Sequence, residues 1–149
     1  MAEVGFYHLL HLPLERALPK LLEKILDRGH RAIVLAGSNE RVEILNTILW
    51  TYEENSWLPH GSASDGPPEA QPIFLTAEEE NPNGADVLVT VDGRNPTKIE
   101  SFVRIIDMFD GQNEELVLAA RLRWQNYKDL GFKMTYWQQS EKGNWEKKE

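Results

Sequence analysis

A five-residue run, Ala32-Ile33-Val34-Leu35-Ala36, holds no polar residue and shows no alternation. A strand with one solvated face alternates apolar and polar positions, whereas a strand covered on both faces has no polar side to show. The run therefore predicts an inner strand of a parallel sheet with helices on either side. Its flanks agree. Leu14, Leu18, Leu21, Leu22, Ile25 and Leu26 precede it at helical spacing, and Gly29 ends that stripe. Pro19 sets the start of the regular helix close to itself, where a missing N–H costs little. After the run Gly37-Ser38 turns the chain, Ser38 or Asn39 is placed to cap, and Val42, Leu45, Ile48 and Leu49 line a second helix. With residues 3–9 as a β-prone opening, the order is strand, helix, strand, helix, the signature of an α/β fold built from βαβ units.

The rest of the chain extends that pattern. Residues 61–71 read as a loop, 72–76 as a short strand, 78–84 as an acidic turn and 86–91 as a second buried strand. Thr97–Glu100 is at most one or two helical turns, and Phe102–Phe109 is a strand. A longer helix runs from Asn113 to about Leu130, with Glu114 and Glu115 near its positive end. Lys133–Trp137 is a last short strand. From Ser140 onward the residues are polar, so the expected organisation is one domain over 1–139 and a disordered tail over 140–149.

Several chemistries are excluded or disfavoured at this level. The chain has no cysteine, which removes disulfide scaffolding, Cys-ligated zinc and thiol catalysis together and fits a cytoplasmic location. No apolar run approaches the roughly 18–20 residues that span a bilayer, and the opening residues lack a secretory signal, so no membrane role is expected. Acidic residues outnumber basic ones 24 to 16, for a formal charge of −8. A protein that neutralises phosphates needs a cationic face. DNA is therefore expected to be met only indirectly, through a protein partner.

The turn Ala36-Gly37-Ser38-Asn39-Glu40-Arg41 sits where a mononucleotide-binding fold holds phosphate, yet it has one glycine and an acid in place of a glycine-rich loop or a P-loop lysine. His8 and His11 lie three apart but lack a third ligand in any recognisable motif. No serine occupies a nucleophile elbow. Neither a cofactor, a metal nor a catalytic constellation is expected. Two aromatic clusters remain. Trp50-Thr51-Tyr52 with Trp57-Leu58-Pro59-His60-Gly61 reads equally as the edge of a core or as an interface anchor. The other is Trp124-Gln125-Asn126-Tyr127-Lys128-Asp129-Leu130-Gly131-Phe132, entered through Arg121 and Arg123. On a helix Arg121, Trp124 and Lys128 lie close to one face. They could form internal cation–π packing, or a pocket for a carboxylate attached to a large apolar residue.

Read in order, Phe6-Tyr7, Arg28-Gly29-His30-Arg31 before Ile33-Val34-Leu35, Leu49-Trp50, Trp57-Leu58-Pro59-His60, Asp86-Val87-Leu88-Val89, Asp107-Met108-Phe109-Asp110, and Ala120-Arg121 through Trp124, Tyr127 and Gly131-Phe132 form a colinear set. That set resembles the chi subunit family of bacterial DNA polymerase III, part of the clamp-loader assembly, over residues 4–137. The resemblance implies a Rossmann-like three-layer fold with a mostly parallel sheet and no nucleotide chemistry. It implies an accessory subunit without activity of its own in a DNA-directed DNA polymerase, a nucleotidyltransferase complex. Such a subunit bridges the psi subunit to the acidic, phenylalanine-terminated tail of single-stranded-DNA-binding protein. Carried onto this chain, the tail site would use Phe109, Arg121, Trp124 and Lys128, with Trp124 in place of a tyrosine. The psi surface would use Trp57, Pro59 and His60. Val117 and Gln125 stand where members of the family carry lysines, so some positive charge is missing. The alternatives are a small Rossmann-like nucleotide- or ligand-binding enzyme acting through Gly37-Ser38, and direct single-strand binding through the aromatics, which the acidic charge opposes.

Overall fold

The computed structural model describes residues 2–52 and 58–148. Within them run β1 (Glu3–Leu9), α1 (Leu14–Asp27), β2 (Ala32–Leu35), α2 (Asn39–Thr51), β3 (His60–Gly61), two short 3-10 turns, β4 (Ile73–Thr76), β5 (Val87–Thr90), β6 (Arg104–Asp110), α3 (Glu114–Asp129), β7 (Lys133–Gln139) and β8 (Trp145–Lys147). The strands form one sheet in the order β3-β4-β2-β5-β6-β1-β7-β8. Every pairing is parallel except β7 with β8. This is the expected Rossmann-like α/β architecture.

The unbroken apolar strands have the physical reason anticipated for them, since alternate residues serve two cores. Ala32 and Val34 pack with Leu18, Leu22, Leu45 and Leu49 under α1 and α2. Ile33 and Leu35 pack with Phe6, Phe74, Leu88, Ile105 and Tyr127 on the α3 side. The cap foreseen at the start of the second helix is in place, and the third helix has a cap of its own. Ser38 accepts from the Arg41 amide, and Asn113 accepts from the amides of Glu115 and Leu116.

Three expectations are corrected. α1 begins at Leu14, five residues before Pro19, which lies inside the helix. The lost hydrogen bond is tolerated because Ala17, Leu18, Pro19, Leu21, Leu22 and Ile25 are all buried there, and packing outweighs propensity. Residues 97–100 form no helix, only bends and turns. The segment after Ser140 is not wholly a polar tail. The turn through Gly143, at φ 83°, reverses the chain, and β8 pairs with β7 in the register Trp137–Lys147, Gln138–Glu146, Gln139–Trp145. The Trp145 ring meets the Tyr7 ring edge-on at 5.0 Å, which fastens the hairpin to the sheet.

Candidate protein-binding site beside α3

The two arginines that open the aromatic segment point in different directions, because residues two apart on a helix lie on nearly opposite faces. Arg123 turns inward and is 6% exposed. Its Nε and a terminal nitrogen donate to the two Asp107 carboxylate oxygens at 2.7 and 3.1 Å. Arg121 turns outward, is exposed and forms no ion pair among the described residues.

Arg121 borders a slot of about 350 Å³ between α3 and the β1–β7 side of the sheet. Its lining includes Val117, Ala120 and Trp124 from α3, Phe6 from β1, Phe109 from β6 and Tyr136 from β7. The rings hold one another edge to face. Phe6 meets Trp124 at 5.4 Å and Phe109 at 6.2 Å, and Trp124 meets Tyr136 at 5.8 Å. Such contacts contribute about 0.5–1.5 kcal/mol each beyond burial, so the wall is rigid before any ligand arrives. His8 braces it from β1: its ring stacks on Phe109 at 4.8 Å, and its Nδ1 pairs with the Tyr136 hydroxyl. Burial lowers the His8 pKa, a backbone hydrogen bond with Gly111 opposes that, and the nearby Arg121 charge adds to the lowering.

Of the residues singled out in the sequence for this corner, Phe109, Arg121 and Trp124 thus meet around one slot. Lys128 does not line it. Seven residues past Arg121 on the same face, it stands about 10 Å farther along the helix and is solvent-exposed. Val117 lines the slot as an apolar contact, and Gln125 donates to Asp129 at 2.8 Å. Sequence reasoning missed Phe6, Tyr136 and Lys148 as lining residues. The alternation in β7 could have flagged Tyr136. Lys148 could have been found only by recognising the Lys142-Gly143-Asn144 turn as a hairpin loop.

The second aromatic cluster is described only in part. Trp57 lies outside the described residues. Pro59 is half-buried and His60 is 3% exposed. The His60 ring nitrogens face the carbonyl oxygens of Leu58 and Asn46 at 2.6 and 3.3 Å. His60 therefore supports Trp50, whose ring sits 4.4 Å away and is 52% exposed. Among the described residues, Trp50 is the ring this surface offers to solvent.

The turn after β2 holds an anion already. Gly37 N–H donates to Asp92 Oδ2 at 2.9 Å, and Arg41 Nε reaches both Asp92 oxygens at 3.1 Å. The Asp92 hydrogen bond raises the Arg41 guanidinium above its ordinary value, against burial, which lowers it. The Asp92 carboxylate occupies the place at the start of α2 where a bound phosphate would lie, and Asp92 takes a positive φ of 56° to do so. A neighbouring cavity of about 340 Å³ at the C-terminal ends of β1, β5 and β6 has two arginines in its lining. Both are committed, Arg41 to Asp92 and Glu15 and Arg123 to Asp107. Nucleotides should therefore leave the melting temperature unchanged in a thermal-shift screen. Asp92→Asn should lower stability by about 1–2 kcal/mol, since it weakens charge-assisted bonds that are only partly exposed. A nucleotide-dependent shift abolished by Gly37→Ala would favour the ligand-binding alternative instead.

The model of the family described as DNA polymerase III chi subunit, HolC, matches residues 1–135. A protein of Rickettsia prowazekii (strain Madrid E), "Probable DNA polymerase III subunit chi", is 31% identical over 134 residues, covering 90% of this chain and 78% of that protein. "DNA polymerase III subunit chi" of Escherichia coli (strain K12) is 22% identical over 107 residues, covering 71% of this chain and 72% of that protein.

Proposed function

As this chain belongs to the DNA polymerase III chi subunit family, we propose that it acts in DNA replication as an accessory subunit that ties the polymerase assembly to single-stranded-DNA-binding protein. Its role is adhesion, with no chemistry of its own. The slot beside α3 takes the acidic, phenylalanine-terminated tail of that protein. The observation that carries this reading is the juxtaposition of Arg121 with the ring-walled slot of Phe6, Phe109, Trp124 and Tyr136. A terminal phenyl ring fits among those rings, and Arg121 offers a bidentate partner for the carboxylate attached to it. The formal charge of −8 supports a protein partner over direct contact with DNA.

A second face meets the psi subunit around Pro59, with the exposed Trp50 ring as its anchor and His60 fixing that ring from below. Exposed aromatic anchors of this kind dominate many interfaces.

The test is titration of the chain with a short acidic peptide ending in Pro-Phe, followed by fluorescence anisotropy. The expected affinity is on the order of micromolar, because a disordered tail loses entropy when it docks. It should weaken as salt rises from about 50 to 300 mM, since exposed charges are screened over about 6–14 Å in that range. No binding, or binding indifferent to salt, would sink the assignment.

A further inference from the structure

We propose that β8 is part of the binding site, placing Lys148 as a second cation across the slot from Arg121, so that this chain selects a peptide end carrying two carboxylates around one large apolar residue. The proposal deepens the reading of the slot as a peptide-tail site and rests on it.

The hairpin decides where Lys148 goes. Side chains alternate across a strand. Trp145 points to the α1 side, where it meets Tyr7, so Lys148, three residues on, belongs to the α3 side. Its amide donates to the Tyr136 carbonyl at 2.7 Å, which fixes its backbone beside the ring that forms one wall. The side chain then lines the slot, with Arg121 on the α3 side. The nearest acid on its own strand, Glu146, lies 3.5 Å from Nζ, and the Lys148 and Glu146 side chains are 46% and 58% exposed. So open an ion pair is worth little, and an anionic ligand displaces it readily.

Among the described residues the lining therefore holds two cations, four aromatic rings and no acidic residue. In a chain with a formal charge of −8, that local excess of positive charge has a direction. One carboxylate satisfies one cation. A chain end with an apolar last residue offers its terminal carboxylate, and an acidic residue a position or two before it offers the second. Val117 and Gln125 leave α3 poor in cations on this flank, and β8 supplies one from the other side.

The experiment uses the full chain and a labelled acidic peptide ending in Asp-Pro-Phe. Lys148→Gln should weaken binding about 3–10-fold and Lys148→Glu more than ten-fold, as expected for loss or reversal of a partly exposed charge pair. Lys148→Arg should bind within about two-fold of the natural chain. The same variants are then measured against a peptide amidated at its C-terminus and one with Asp changed to Asn. Non-additive losses with either peptide place Lys148 against that carboxylate and support the proposal. Full additivity with both, or unchanged affinity in Lys148→Glu, overturns it. Binding that is lost in Arg121→Ala but indifferent to Lys148 overturns only the role of β8. Failure of the unaltered chain to bind overturns the peptide-site reading and this proposal together.

Discussion

Arg123→Met is expected to destabilise the protein by about 3–5 kcal/mol, the range for breaking one side of a buried ion pair. Arg123 and Asp107 are 6% and 2% exposed and joined by two hydrogen bonds. Removing the arginine strands a carboxylate in the middle of β6. Burial already pushes the Asp107 carboxyl above its ordinary value, and Arg123 opposes that push. In the variant burial acts unopposed, so the folded state keeps a proton that the unfolded chain releases above about pH 4. A group whose folded pKa is raised costs stability as pH climbs from its unfolded toward its folded pKa. The variant should therefore recover part of its loss when the pH falls from about 7.5 to 5. Chemical unfolding at the two pH values reads this directly. A deficit independent of pH would assign the loss to packing instead. The double variant Asp107→Leu/Arg123→Met should regain most of the stability, because an apolar pair of similar volume replaces two charges.

Two residues earlier on the same helix the effect moves from stability to binding. Arg121→Ala should lower affinity for the acidic peptide by more than about ten-fold, the usual cost of losing a charge-assisted partner at an interface centre, with the melting temperature almost unchanged. Arg121 is exposed and unpaired among the described residues, so folding asks nothing of it. Trp124→Ala should weaken binding at least as much and also cost stability, because its ring is wedged against Phe6 and Tyr136. The contrast separates the two roles. Equal affinity in Arg121→Ala and the unaltered chain would move the ligand elsewhere.

The sequence alone was enough for the frame. The unbroken apolar run at 32–36 and the buried strand expected at 86–91 require a sheet covered on both sides, and two cores meet on alternate residues of β2. Gly29, Ser38 and Asn113 mark helix ends by chemistry that acts within a turn. Local rules failed where distant contacts decided the outcome. Pro19 sits inside α1 because its neighbours are buried against the sheet, and β8 exists because Trp145 finds Tyr7, far away in sequence.

The site divides along the same line. Arg121 and Trp124 were legible as neighbours on one helical face, since 3.6 residues per turn brings them together without any tertiary information. That spacing could not tell which of Arg121 and Arg123 faces out, because α3 has few large buried residues to mark its inner stripe: Ala120, Arg123 and Tyr127. Nor could it exclude Lys128, which shares the face but stands beyond the slot. The placement of Phe6, Tyr136 and Lys148 around one opening depends on β1, β7 and β8 lying side by side in the sheet. His60 was legible as part of an aromatic cluster, but its burial follows from the carbonyls of Leu58 and Asn46 closing on its ring. Sequence by itself determined the layers, the caps and one helical face, because those depend on periodicity and on contacts within a turn. Only the tertiary structure decided which charge is spent inside the fold and which stays exposed at the slot, because that depends on strands brought together from opposite ends of the chain.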